Sequence, residues 1–198
     1  VEPRSNSRQR GELDDLTRFI HLGLTFLGIL AYLTGLFAGD YKRAYHLGFR
    51  VHKWLGLSLS FFVFWRLWVG FYGSREAQFS QWVPYTRERV LMVLEDLVNL
   101  LRLKLPDRAV HQGLAGVAQT FGLGVFSWMA LTGTLMFIFL EPGRKAGVAL
   151  HFIKELHEAG LWLIPIFLGI HVGAVTLHAL AGDDLWRQAF FLKKKQDS

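Results

Sequence analysis

Four stretches of this chain are long and apolar enough to cross a membrane, and any fold open to it must house them. Residues 19–39, 54–73, 113–140 and 159–181 each reach about 20 residues or more, the length that covers a hydrocarbon core of about 30 Å at 1.5 Å per residue. Within them lies a single formal charge, Arg66, close to the end of the second. Backbone amides have no water to pair with in lipid, so each stretch must be helical. The expected fold is an all-α integral membrane protein, a four-transmembrane-helix bundle forming one domain over 1–198. A hydrophobic content of 52% agrees with that class. The polar start Val1 to Leu16 leads into a full-length span with no small-residue cleavage site, so no signal peptide is expected.

Positive charge sets the expected orientation. Arg4, Arg8, Arg10 and Arg18 precede span one; Arg75, Arg87, Arg89, Arg102, Lys104 and Arg108 follow span two; Arg187, Lys193, Lys194 and Lys195 follow span four. The other two loops hold only Lys42, Arg43, Arg50, Lys53, Arg144, Lys145 and Lys154. Positively charged loops stay inside, which puts both termini of this multi-pass chain in the cytoplasm. The net charge of +6 is gathered beside the spans and fits lipid headgroups; no nucleic-acid partner is expected.

The one long polar interval, 74–110, repeats Val90, Leu94, Leu97, Val98, Leu101 and Leu105 at helical spacing against Glu88, Glu95, Asp96, Asn99 and Arg102. It reads as a cytoplasmic amphipathic helix between spans two and three, bounded by Pro84 and Pro106. A solvated helix on a partner subunit is the equal alternative.

Histidine placement carries the chemistry. His157 and His171 lie fourteen residues apart, close to four helical turns, so on one continuous helix both leave the same face roughly 21 Å apart. The interval recurs from His21 to Gly35 and from His52 to Arg66. With both termini inside, His52 and His157 share the outer depth, and His21 and His171 the inner. Cysteine is absent, which excludes iron–sulfur clusters, thiolate zinc and covalent haem. Two neutral imidazoles at each of two depths in an apolar cage suit axial ligation of haem iron; zinc would want four ligands at one point. The expected cofactors are two non-covalent, bis-histidine b haems, the inner iron held by His21 and His171 and the outer by His52 and His157. Gly35 then sits where a side chain would meet a porphyrin plane, and Arg66 where a propionate would offset a costly membrane charge. Arg18, His111 and His178 are further candidates for a propionate or quinone contact, while His46 and His151 read as loop residues. Taken singly, an intramembrane histidine can instead bond a neighbouring helix or line a proton path, Arg66 can snorkel to the boundary and Gly35 can serve helix packing.

The pieces R-F-I-H at 18–21, H-K-W-L-G at 52–56, P-D-R-A-V-H-Q-G-L-A-G at 106–116, and H-E-A-G with H-V-G-A-V-T-L-H within 157–178 resemble the bacterial dihaem cytochromes b. That family includes the cytochrome b561 type and the b-type subunits of nickel–iron hydrogenases and formate dehydrogenases. The likeness runs over nearly the whole chain, although V-H-Q at 110–112 replaces the family's G-H-N. It implies the same histidine pairing and a function: the membrane electron-transfer subunit of a quinone-linked oxidoreductase, carrying electrons between an outer-side redox partner and the quinone pool. The partners implied are quinone, membrane lipid, a hydrogenase-like, iron–sulfur or c-type cytochrome subunit, or a second copy of the chain. Two other readings are a stand-alone quinone reductase fed by a small molecule such as superoxide and a histidine-relay proton transporter. The lack of acidic residues within the spans counts against the last.

Overall fold

A computed structural model describes residues 14–38, 46–106, 112–141, 146–182 and 185–190. The helices are α1 (Asp15–Leu36), α2 (Leu47–Tyr72), α3 (Phe79–Trp82), α4 (Arg87–Leu101), α5 (Leu114–Phe139), α6 (Val148–Glu158), α7 (Gly160–Leu180) and α8 (Leu185–Ala189), with a 3-10 turn at Arg75–Ala77 after α2. No strand occurs among the described residues. Four membrane-crossing units result: α1, α2, α5 and the combined α6 and α7. The end at which α1 begins and α7 finishes is termed proximal, and the opposite end distal.

Helix α1 starts because Asp14 caps it: its carboxylate accepts the Thr17 amide at 2.8 Å. The other Asp14 oxygen accepts the Ser74 hydroxyl at 2.9 Å, tying the proximal ends of α1 and α2 together. Burial would raise the Asp14 pKa, but the Thr17 and Ser74 hydrogen bonds and the nearby Arg66 charge outweigh it and hold the carboxyl below its usual value.

The helices pack in the order α1, α2, α5, then α6 and α7, with α8 against α1 and α7. Lipid tails are as apolar as leucine, so helix association rests on close fit. Glycines supply it: Gly23 receives the Phe62 ring, Gly122 the Phe167 ring and Gly160 the Met129 side chain. Ala31, Leu59 and Val63 form the buried centre between α1 and α2, with Phe126 from α5 against them. By contrast, α7 has no comparable backbone contact with α1 or α2. Across the fourth span, Val148–Leu180, only 11% of the most apolar window is buried, the lowest share of the four.

The fourth span departs from the expected single helix over 159–181. It begins at Val148, so His151 is helical and the loop before it is shorter than expected, and it breaks at Ala159 between α6 and α7. His157 and His171 therefore stand on two helices and not on four unbroken turns of one. Two neighbours settle the freed carbonyls: the Trp128 indole donates to Leu156 O at 2.9 Å, and the Tyr32 hydroxyl donates at 3.4 Å to Leu161 O, the acceptor that Pro165 cannot fill.

Helix α4 also differs in detail. Asp96, expected on its polar face, is buried (1% exposed) and accepts the Leu114 amide at 3.0 Å, capping α5 from outside the helix. Leu91, Leu94 and Leu101 point outward instead, at 48, 51 and 85% exposure. An apolar face turned away from the protein is what an interfacial helix lays into a headgroup boundary.

Candidate functional site

The bundle brings four histidines together as two facing pairs, one near each end. At the distal end His52 on α2 and His157 on α6 have ring centres 6.1 Å apart with planes at 70°. At the proximal end His21 on α1 and His171 on α7 have centres 6.3 Å apart at 53°. An imidazole bound through a metal–nitrogen bond of about 2.0 Å puts its ring centre about 3 Å from the metal, so two imidazoles on opposite sides of one ion stand about 6 Å apart. Both pairs have the separation for a single shared ion. Among the described residues no three or more His, Cys, Asp or Glu side chains converge on one point. A pair of imidazoles alone does not complete a protein-only zinc site, whereas a porphyrin supplies the four remaining positions of haem iron.

Local structure orients the distal rings. His52 Nδ1 lies 2.9 Å from the Ala31 carbonyl, which can only accept, so Nδ1 carries the proton and Nε2 keeps its lone pair. His157 Nδ1 lies 2.9 Å from Thr132 Oγ1, itself 2.8 Å from Trp128 O. The hydroxyl donates to Trp128 O and accepts from His157, which leaves the Nε2 lone pair of that ring free. Gly35 faces the His52 ring: a Cβ there would lie 3.2 Å from its Cε1. Gly133 repeats this against His157, at 3.1 Å. Gly35, expected to stand where a side chain would meet a porphyrin, adjoins the His52 ring. Gly56, one turn along α2 from His52, has open space where a Cβ would stand, room for a flat group against that face.

The proximal pair is held differently. His171 stacks on Phe167, centres 5.4 Å apart and planes at 20°, and His21 meets the edge of Phe190 at 6.3 Å. His21 Nδ1, Thr17 Oγ1 and Arg187 Nε are buried without a hydrogen-bond partner. Thr17 lies one turn before His21 on α1, and α8, which carries Arg187, packs on α1. No described residue supplies these atoms with a partner, and haem propionates have the polar, anionic chemistry that buried donors accept. Arg18 stands one turn from His21 with Nη1 3.4 Å from Asp15.

Arg66 is not gathered with the histidines. Its guanidinium turns to the segment after α2, where Nη1 is 3.3 Å from Ala77 O and the plane lies over the rings of Phe79 and Trp82 at 5.6 and 5.3 Å. His178 is half-buried on the last turn of α7, His46 caps the start of α2, and His111 lies outside the described residues. The sequence repeats L-T-G at 33–35 and 131–133, a hint that small residues are needed at one depth on both helices, but it gives Thr132 and Gly133 no place among the expected site residues. Nothing in the sequence marks Arg187.

A multi-pass helical bundle with two facing, half-buried histidine pairs between its helices defines the class of membrane b-type cytochromes. The model of the prokaryotic cytochrome b561 family matches residues 12–191, and the chain belongs to that family. No curated protein and no solved structure matches it. Membership makes the protein a membrane b-type cytochrome of electron transfer that binds b-type haem.

Proposed function

We propose that the chain holds two b haems non-covalently, one between His52 and His157 and one between His21 and His171, and carries electrons across a bacterial inner membrane between an outer-side redox partner and the quinone pool. The matched ring separations, 6.1 and 6.3 Å, are the observation that supports this most strongly. When bound, each haem supplies a one-electron Fe(III)/Fe(II) couple. The chain does the rest. His52 with His157 and His21 with His171 would hold the two haems from both sides, leaving no position for dioxygen or a substrate and directing the centres to electron transfer. Helices α1, α2, α6 and α7 carry the four rings, with α5 packed against α2, α6 and α7. Thr17, Arg18 and Arg187 offer polar contacts to propionates at the proximal end.

Quinone chemistry belongs at that same proximal end in this reading, with Arg18 and His178 as candidates there and His111 a candidate from its sequence position alone. The excess of Lys and Arg at that end supports a cytoplasmic location for it and for both termini. On the distal side the partner is a hydrogenase-like, iron–sulfur or c-type cytochrome subunit, with a homodimer as a further arrangement. A reduced-minus-oxidised spectrum with haem quantification tests the core of the proposal. Two b haems per chain are expected, and one or none rejects it. Co-purification then identifies the partner, and quinone reduction by the isolated chain with superoxide alone would replace the subunit role by a stand-alone reductase.

A further inference from the structure

The two L-T-G tripeptides, Leu33–Gly35 on α1 and Leu131–Gly133 on α5, are structurally equivalent, and both serve the distal histidines. Gly35 abuts His52 and Gly133 abuts His157. Thr34 Oγ1 donates back to Leu30 O at 2.7 Å and approaches Ala31 O at 3.1 Å; Thr132 Oγ1 repeats this with Trp128 O at 2.8 Å and Met129 O at 3.3 Å. Each helix then presents one oxygen to the imidazole beside it, Ala31 O to His52 Nδ1 and Thr132 Oγ1 to His157 Nδ1, both at 2.9 Å. Among the described residues no such acceptor meets the proximal rings: His21 Nδ1 is buried without a partner there, and His171 rests on Phe167.

An acceptor on the far nitrogen of a ligand imidazole makes the ring a stronger electron donor to its metal, which favours the higher oxidation state. Among the described residues the distal site has that acceptor on both rings and the proximal site on neither. We infer that Thr132 and the Ala31 carbonyl make the distal site the lower-potential of the two, so that electrons entering there fall to the proximal site. With both haems bound, one electron would pass from the distal to the proximal site, the first oxidised and the second reduced by one unit, and no bond would change. Thr132 acts through His157 and is a positioning residue. The inference rests on the two-haem reading above.

Spectroelectrochemistry of the purified full chain tests it, read at the b bands and at the low-spin ferric EPR signals. Thr132→Val keeps the branched shape and removes the hydroxyl. It is expected to shift the lower-potential component upward by about tenfold in its reduction equilibrium, 59 mV for a one-electron couple, and to leave the other component in place. Thr132→Ser is expected to restore the original value. His171→Ala, which leaves the distal shell intact, is expected to remove the higher-potential component. Absence of b bands from the wild type would overturn both this inference and the two-haem reading. Two wild-type components with either no shift in Thr132→Val or loss of the lower-potential one in His171→Ala would overturn the inference alone. Should Thr132→Val shed its distal haem, the component missing from His171→Ala decides the order of potentials.

Discussion

The indole N–H of Trp128 on α5 donates to the Leu156 carbonyl at 2.9 Å, one residue before the distal ligand His157. It satisfies an acceptor in the last turn of α6, where helix carbonyls lack intrahelical donors, and pins that turn to α5. Trp128→Phe keeps the aromatic bulk and frees the carbonyl. A loss of about 1 kcal/mol is expected, read as a lower unfolding temperature in detergent together with faster release of one haem of two.

His171→Ala is expected to halve the haem content while the remaining b haem keeps its low-spin spectrum, because His52 and His157 draw on other helices. Haem quantification against protein mass checks this. Unchanged content would break the proximal pairing.

At Gly35 and Gly133 a Cβ would lie 3.2 and 3.1 Å from the ligand ring, so alanine needs a shift of only a few tenths of an ångström. Leucine leaves the imidazole no room. Gly133→Ala should retain both haems, and Gly133→Leu or Gly35→Leu should lose the distal haem while His21 and His171 keep theirs. Absorption and EPR of the purified variants separate the two sites.

Asp96 is buried and accepts the Leu114 amide at the start of α5. Asp96→Ala leaves that donor without its acceptor and is expected to cost about 1–3 kcal/mol. Thermal unfolding in detergent reads the loss, with Asp96→Asn, which keeps an acceptor oxygen, falling between wild type and alanine.

Asp14 links stability to pH. Its carboxyl is held below its ordinary value, so the folded state favours the ionised form, and the contribution is fully present above the unfolded pKa of about 3.9. It is lost as pH falls through the lower folded value. Unfolding temperatures measured downward from neutral pH should therefore drop less steeply in Asp14→Asn than in wild type over that acid window.

The spans were legible because the membrane imposes a rule that runs along the chain: enough consecutive apolar residues to cover the hydrocarbon, whatever their neighbours. Depth followed from the same rule, since residue number along a spanning helix measures height. His52 with His157 and His21 with His171 are brought level by counting alone, and their rings face one another in the structure. Counting could not give rotation or crossing. Arg66 lies at the depth read for it, yet its guanidinium bends to Ala77, Phe79 and Trp82, because the turn after α2 folds back over it. The apolar periodicity of α4 was plain, but Asp96 turned inward once the first amide of α5 came within reach. Likewise the break at Ala159 needs Trp128 and Met129 on another helix to make it tolerable, and the L-T-G echo acquired a purpose only when α5 set Thr132 beside His157. Sequence alone determined how many helices cross and at what height each histidine stands, because hydropathy and length are properties of one segment. Which oxygen meets which imidazole is a property of two segments at once, and only tertiary packing decided it.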